Sequence, residues 1–433
     1  MTPLAIGGTG IAALFGLILL QVPIGFAMIV VGIVGFALQA GWAPALTFLA
    51  SEPSQVLAST DIATVPLFLM MGTFATLAGF SEDVYAAAAA FLGHRRGGLA
   101  YATIGGCAAF GAICGSTPAT AATFAKVALP EMRRRGYSDS FASATIAAGG
   151  TLKSLIPPSL IMILYSVVAK TFIFELFAAA VVPALLTILG NLLAIGITTW
   201  LDPAAAPTSP RVAWSVRLDA ARRAVPALLL MLAIFGGLYS GVFTINEAAS
   251  VAAVLSLGFA LMRRRMTWLG LESSLRQAAG ASIMLYMILI GASVFTYFIT
   301  LAHLPEALVV LIGGLNLPPL GVIVLLMLAY IVLGSVFDEV SAILITLPFV
   351  LPVVVALGYD PVWWGVMNVI QVELAMIHPP LGIIVFLLHG LAPDIPMRTI
   401  YRGVIPFIIA DFGVLALLML FPELALWLPR MLG

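Results

Sequence analysis

The chain has 433 residues, of which 62% are hydrophobic and 9% charged, and its formal net charge at pH 7 is zero. Soluble domains carry about 25% charged residues, so this composition excludes a soluble globular protein and indicates an integral membrane protein. The zero net charge gives no reason to expect a nucleic-acid partner, and Cys107 and Cys114 lie too far apart on one predicted helix to form a disulfide.

Apolar segments of the length needed to cross a bilayer recur along the whole chain. The first lacks the basic region of a secretion signal, so we expect it to remain in the mature protein. Two other segments, 81–93 and 304–314, are too short to cross and are predicted to lie along the membrane surface as arm helices. The predicted crossings are, in chain order, 4–21, 24–50, 62–79, 140–169, 176–200, 224–240, 247–262, 278–300 and 404–422.

Basic residues accumulate in short cytoplasmic loops and therefore predict the orientation of the chain. If all of the basic clusters face the cytoplasm, the stretch between Arg96 and Arg133 must enter and leave the membrane on one side. We therefore predict a first re-entrant hairpin with its tip near Gly111–Thr117, and a second, at 319–354, that enters from the opposite face. The clusters lie at Arg95–Arg96, Arg133–Arg135, Arg211–Arg223, Arg263–Arg276 and Arg398–Arg402.

The two predicted hairpins belong to a pattern that occurs twice in the sequence. Similar sequences inserted with opposite orientation form an inverted-topology repeat, and matching interrupted segments indicate the binding site of a secondary transporter. The predicted fold is an all-α polytopic membrane protein with two re-entrant helical hairpins and two broken helices. Gly115-Ser116, Pro130, Gly136-Tyr137 and Pro157-Pro158 correspond to Gly334-Ser335, Pro348, Gly358-Tyr359 and Pro379-Pro380.

This repeat predicts how the chain is divided. Each transport repeat is expected to contain an arm helix, a hairpin and a broken helix, and to move against a static scaffold. The predicted regions are scaffold helices at 1–61, the first transport repeat at 62–175, scaffold helices at 176–277, the second transport repeat at 278–402 and a C-terminal scaffold helix at 403–433.

Oxygen atoms at the hairpin tips are candidate ligands for a cation. Glycine, serine and threonine expose carbonyls and hydroxyls at membrane depth, where an unsatisfied polar group is costly. Because sodium takes oxygen ligands, we predict one sodium site at each tip, where the tip meets a break in a helix. The first site comprises Gly115, Ser116, Thr117, Thr120, Gly149, Gly150 and Thr151. The second comprises Gly334, Ser335, Asp338, Ser341, Met376, Ile377, His378 and Pro379.

Acidic residues in apolar segments are costly and suggest function. For Asp338 we favour cation coordination, with capping of a helix N-terminus as the alternative or an additional role. For Glu373 and His378 we weigh substrate contact or ion coupling against a polar contact between helices.

A lysine lies in the first predicted broken helix. Lys153 could neutralise an anionic substrate, pair with a carboxylate, or extend its side chain to the membrane surface. Helix N-termini facing the site would also favour an anionic substrate. The predicted substrate-binding residues are Thr117, Lys153, Pro157, Glu373, His378 and Pro380.

Three stretches resemble the large membrane subunit of tripartite ATP-independent periplasmic (TRAP) transporters, namely 128–169, 347–388 and FPELALWLP at 421–429. The resemblance covers nearly the whole chain. It implies an elevator mechanism in the bacterial inner membrane, driven by a sodium gradient, with both termini periplasmic and no organic cofactor. It also implies two partners, a small four-helix membrane subunit and a periplasmic binding protein that delivers an organic acid.

The chain departs from this family at two positions beside the predicted sites. Lys153 follows GGTL where the family usually has a small residue, and His378 precedes the second double proline where the family usually has threonine. Both departures suggest an unusual substrate or altered ion ligands.

Two other classes of protein remain as alternatives. A stand-alone cation-coupled transporter of dicarboxylates or other anions, from the wider ion transporter superfamily, would need neither partner. An intramembrane metalloenzyme could use Asp338, Glu373 and His378, although the HExxH spacing is absent. A channel is disfavoured because hairpins from both faces suit alternating access better than an open pore.

Overall fold

The structure is a computed structural model that describes residues 2–60, 62–314 and 317–432. The described residues form helices and no strand, which confirms the predicted all-α class. The helices are α1 (Pro3–Leu19), α2 (Ile24–Ala40), α3 (Trp42–Ala58), α4 (Thr64–Leu77), α5 (Phe80–Leu92), α6 (Gly98–Cys114), α7 (Thr117–Arg134), α8 (Asp139–Thr151), α9 (Leu160–Ala169), α10 (Ile173–Leu201), α11 (Trp214–Tyr239), α12 (Ile245–Met262), α13 (Trp268–Leu301), α14 (Leu304–Gly314), α15 (Pro319–Val336), α16 (Glu339–Ala356), α17 (Pro361–Ala375), α18 (Ile383–Leu391), α19 (Met397–Leu420) and α20 (Glu423–Leu432).

Within the described ranges, seven helices are long and apolar enough to cross a membrane by length and composition: α10, α11, α12, α13, α15, α16 and α19. Two further pairs of helices would each pass the same test as one bent span. The helices α4 and α5 meet at 61°, and α8 with its 3₁₀ extension meets α9 at 43°. The protein is therefore a multi-pass membrane protein, as its composition predicted.

The predicted crossing at 24–50 is wrong as a single helix. The structure ends α2 at Ala40 and starts α3 at Trp42, with Gly41 between them at φ +93°. Glycine adopts this conformation readily because it has no Cβ, so Gly41 ends one helix and allows the chain to turn into the next.

A constant spacing relates the two predicted repeats. The helices α7 and α16 begin at 117 and 339 and end at 134 and 356, so both ends differ by 222 residues. The same spacing relates the first residues of α8 and α17. In both repeats the peptide bond within the double proline is cis.

This register corrects the predicted position of the second tip. Gly334 and Ser335 lie inside α15, and the break falls at Phe337 and Asp338, which are 222 residues beyond Gly115 and Ser116. The Ser335 hydroxyl donates to the carbonyl of Val332 at 2.8 Å. A Cβ on Gly334 would lie 2.8 Å from the Cβ of Ala375, so this glycine permits close packing of α15 on α17 and does not end a helix.

The first broken helix also continues further than predicted. Gly149, Gly150 and Thr151 belong to α8, which continues as a 3₁₀ turn over Leu152–Leu155 before the double proline. A Cβ on Gly149 would lie 2.8 Å from the sulfur of Cys107, so close helix packing explains this glycine. The 3₁₀ turn contacts α6, α7, α10 and α17, which places it at a junction of both repeats.

Candidate functional site

A buried polar cluster lies where the two repeats meet. It contains Thr117 at the start of α7, Lys153 and Ser154 in the 3₁₀ turn, Glu339 at the start of α16 and Glu373 in α17. Lys153 and Glu373 are 1% and 3% exposed. Charged groups at such depth are costly unless they are paired and hydrogen-bonded, so the cluster needs the contacts described next.

Lys153 forms an ion pair with the second repeat. Its Nζ lies 3.0 Å from Oε1 of Glu339 and donates to the backbone carbonyl of Gly115 at 3.2 Å. Of the roles weighed for this lysine, the structure shows the pairing with a carboxylate. The ion pair therefore joins the break of the first broken helix, the first tip and the second tip.

Two hydroxyls connect the carboxylates. Thr117 Oγ1 lies 3.1 Å from Oε2 of Glu339 and 2.9 Å from Oε1 of Glu373. Ser154 Oγ lies 3.2 Å from Oε2 of Glu339 and is also a hydrogen-bond partner of Glu373. Each hydroxyl carries one proton, so it donates to one carboxylate at a time. The two carboxylates are thus held side by side, and the ammonium group of Lys153 pairs with that of Glu339.

The sequence analysis selected Thr117, Lys153 and Glu373 but missed Glu339 and Ser154. Glu339 follows Asp338, and only the latter was weighed as the acidic residue of the second tip. A signal was present, because Thr117 and Glu339 are separated by the 222-residue repeat and each begins the second helix of its tip. Ser154 carried no comparable signal beyond its place next to Lys153.

The second tip presents a different set of groups. The Asp338 side chain caps α16 by accepting from the backbone N–H of Ser341 at 3.2 Å. The capping role weighed for Asp338 is therefore present. The buried Ser341 hydroxyl interacts with the same carboxylate but makes no well-aligned hydrogen bond with any described residue.

The residues around the second double proline differ in their burial. Met376 and Ile377 are buried beside the cluster, at 1% and 0% exposure. Pro379 and Pro380 are exposed, and His378 is half-buried. The His378 ring lies 6.3 Å from the ring of Phe412, on α19. The structure therefore does not bring His378 together with Glu373, whereas it brings Met376 close to the second tip.

A cavity of about 680 Å³ lies between the two tips. Its wall includes Ser116 from the first tip, Asp338, Glu339 and Ser341 from the second, and Met376. Gly115 and apolar residues of α2, α4, α9 and α13 also line it. The described lining contains none of the six predicted substrate-binding residues, which are Thr117, Lys153, Pro157, Glu373, His378 and Pro380. Glu339 lines the cavity and also contacts Thr117, so it connects the cavity to the polar cluster.

The two predicted sodium sites differ in how well their residues fit a cation. At the first, the Gly115 carbonyl accepts from Lys153, and the hydroxyls of Thr120 and Thr151 donate to the carbonyls of Ser116 and Ala148 at 2.9 and 2.8 Å. At the second, the Asp338 carboxylate and the Ser341 hydroxyl share the wall of the cavity. Carboxylate and hydroxyl oxygens suit a hard cation. At the first site the Gly115 carbonyl already accepts from the Lys153 ammonium group, whereas at the second the Asp338 carboxylate lines the cavity.

Apolar crossings, paired interrupted helices and a cavity between two polar tips are typical of a membrane transporter. Residues 11–424 match the family model described as "Tripartite ATP-independent periplasmic transporter, DctM component". The chain belongs to this family. Membership confirms the resemblance seen in the sequence and excludes the metalloenzyme alternative, because proteins of this family are named as transporter permeases.

The similarity to individual proteins extends over most of the chain. It is 34% identical over 370 residues to the C4-dicarboxylate TRAP transporter large permease protein DctM of Pseudomonas aeruginosa, covering 85% of this chain and 86% of that one. It is 30% identical over 420 residues to the ectoine TRAP transporter large permease protein TeaC of Halomonas elongata, covering 96% and 97%. The crystal structure of the Alcanivorax borkumensis YdaH transporter has a similar fold, with a TM-score of 0.58, 15% identity and 92% and 91% coverage.

Proposed function

We propose that this chain is the translocating permease of a TRAP transporter that takes up a carboxylate-bearing solute across the bacterial inner membrane, driven by a sodium gradient. Its partners are a small four-helix membrane subunit and a periplasmic binding protein that delivers the solute. Both termini are periplasmic. The family match supports the permease role, and the solutes named for the two relatives, C4-dicarboxylates and ectoine, carry carboxylates.

The cavity lined by both tips is the observation that carries this proposal. Its volume of about 680 Å³ is in the range of small-molecule pockets. A solute in it contacts both repeats at once, so its binding is sensitive to the position of either tip. Sodium binds beside Asp338 and Ser341 on the cavity wall and orders the second tip. Sodium and solute then raise each other's affinity by the same factor.

Transport follows an elevator mechanism in this proposal. The part that carries the two tips and the two broken helices moves as a unit across the scaffold formed by 1–61, 176–277 and 403–433. The ion pair between Lys153 and Glu339 supports this movement, since it holds the two repeats together at their centre. The arm helices α5 and α14 connect the moving part to the scaffold.

Uptake by proteoliposomes tests the proposal. The chain is reconstituted with its small subunit, and uptake of candidate organic acids in the presence of the binding protein is measured with and without an inward sodium gradient. We expect uptake that requires both the gradient and the binding protein. Uptake that is unchanged without sodium contradicts the coupling, and uptake that persists without the binding protein favours the stand-alone transporter instead.

A further inference from the structure

We propose that the ammonium group of Lys153 occupies the first predicted ion site as a tethered cation, so that this permease binds sodium only at the second tip. The inference deepens the proposed function, because it concerns the number of ions that drive the same transport step. It rests on the position, packing and charge of one side chain.

The position of the ammonium group coincides with the predicted ion. Gly115 lies at the first break with φ +70°, where its carbonyl is released from regular helix geometry. This carbonyl was predicted to bind sodium, and it accepts instead from Lys153 Nζ at 3.2 Å. A sodium ion at this carbonyl would lie within a few ångströms of a like charge in a medium of low dielectric, where repulsion is strong.

The side chain of Lys153 is packed into this position along its length. It is 1% exposed, so it does not extend to the membrane surface. A Cβ on Gly111 would lie only 2.5 Å from the Cβ and 3.2 Å from the Cα of Lys153, and 3.7 Å from its Cγ. The absence of a side chain at Gly111 therefore lets α6 approach the 3₁₀ turn that carries the lysine.

The charges around the first tip complete the argument. Glu339 from the second repeat lies 3.0 Å from the ammonium group and compensates a permanent positive charge. The hydroxyls of Thr117 and Ser154 are directed to carboxylates. The hydroxyls of Thr120 and Thr151 are directed to carbonyls of their own helices. The protons of these four hydroxyls are therefore used within the protein, and the free carbonyl at this tip is occupied by the lysine.

A tethered cation changes the energetics of transport. Unlike sodium, Lys153 stays in place in both inward-facing and outward-facing states, so it keeps the first tip ordered and contributes nothing to the driving force. Sodium then orders only the second tip. We therefore expect the protein to bind one fewer sodium ion than a relative with a small residue at this position.

Sodium binding to the purified full-length chain tests the inference directly. Melting temperature is measured against sodium chloride concentration, with choline chloride holding ionic strength constant, for the wild type and for Lys153→Ser, Asp338→Asn and Lys126→Ser. The slope of melting temperature against the logarithm of ion concentration increases with the number of bound ions. The exposed Lys126 of α7 provides a matched control for loss of a lysine.

We expect Asp338→Asn alone to abolish the sodium response, and Lys153→Ser to about double its slope because the first site becomes available. Lys126→Ser should respond like the wild type. A slope in Lys153→Ser that stays at the wild-type value, or a full response in Asp338→Asn, overturns the inference. If Lys153→Ser does not fold, Lys153→Ser/Glu339→Gln removes the unpaired carboxylate, and the same gain in slope is expected.

Uptake measurements separate this inference from the proposed function. In proteoliposomes, the rate of uptake is measured against sodium concentration. The apparent reaction order in sodium should be higher for Lys153→Ser than for the wild type. If wild-type uptake needs no sodium, the sodium coupling in the proposed function fails, while the binding measurements still test the role of Lys153. If wild-type uptake needs sodium and the reaction order in sodium is the same for Lys153→Ser, only the tethered cation is contradicted.

Discussion

The first and second tips have equivalent helix boundaries but differ in charge. In the first, Gly115 and Ser116 end α6 and cap α7, and in the second, Phe337 and Asp338 do the same for α15 and α16. The cap is a neutral hydroxyl in one and a carboxylate in the other. A repeated fold can therefore place two chemically different sites at equivalent positions.

The difference extends to the residues beside the caps. Thr117 and Glu339 both begin the second helix of their tip, and the first is neutral whereas the second is acidic. The first repeat supplies Lys153 to the cluster, and the second supplies Glu339 and Glu373. The repeats thus meet through complementary charges, which favours this register of one repeat against the other.

The largest expected effect comes from removing the charge of Glu339, the acidic partner of Lys153. Glu339→Gln leaves the Lys153 ammonium buried without its carboxylate, so we expect a loss of about 3–5 kcal/mol of stability. Chemical denaturation in detergent measures it. The matched control is Glu272→Gln, which breaks an exposed pair with Arg276 and should change stability by no more than about 1 kcal/mol.

A double variant shows whether loss of the ion pair causes the destabilisation of Glu339→Gln. In Lys153→Met/Glu339→Gln both charges are absent, so much of the stability lost in Glu339→Gln should return. Equal losses in the single and double variants would mean that Glu339 acts through Thr117 or Ser154 and not through the lysine.

Two glycines in the helices that lead into the tips, Gly111 in α6 and Gly334 in α15, should differ in their tolerance of a methyl group. In Gly111→Ala the new Cβ meets the Cβ of Lys153 at 2.5 Å and its Cα at 3.2 Å. In Gly334→Ala it meets the Cβ of Ala375 at 2.8 Å. We expect overpacking losses of about 1–3 kcal/mol, larger for Gly111→Ala because a backbone atom must also move.

The control for these glycines lies in the same helix as Gly111. Gly105 has no atom within 4 Å of an added Cβ, so Gly105→Ala should stabilise α6 slightly through lower chain entropy. Thermal unfolding compares the three variants. Equal effects at Gly105 and Gly111 would contradict the close approach of α6 to residue 153.

The second tip is tested by a substitution that keeps its cap. Asparagine caps a helix about as well as aspartate, so Asp338→Asn should leave stability nearly unchanged. It removes the negative charge that favours sodium, so we expect it to remove the coupling between sodium and solute, of about 1–3 kcal/mol. Solute binding measured with and without sodium checks this. Coupling that persists in Asp338→Asn would exclude a ligand role.

The smallest effect on stability is expected for an ion pair outside the tips. Arg133 of α7 pairs with Asp394 in the loop before α19. The hydrogen bond from Arg133 holds the pKa of Asp394 below its usual range. The stabilisation is therefore present at neutral pH and is lost as pH falls through and below the ordinary pKa range of an aspartate. The free energy of unfolding, measured from neutral to acidic pH, should depend slightly less on pH in Asp394→Asn than in the wild type. An unchanged pH profile would contradict the interaction.

Much of the fold and part of the candidate site could be predicted from sequence. Hydropathy predicted most of the long helices, and the double prolines predicted both broken helices. Lys153 and Glu373 were selected because ionisable groups in apolar segments are rare and costly, and Thr117 because it supplies a hydroxyl at a predicted tip. Gly334 and Gly149 were misread as breaks because a glycine that ends a helix and a glycine that lets two helices approach look the same in sequence.

The sequence by itself determined that this protein is a helical membrane transporter with a duplicated plan. The lipid interior requires long apolar helices, and their interruptions stand out against that background. Only the tertiary structure decided that Lys153 pairs with Glu339, since 186 residues separate them. No local pattern shows which of several acidic residues a buried lysine meets. That choice depends on how the two repeats pack, and it determines which tip is left for sodium in our proposal.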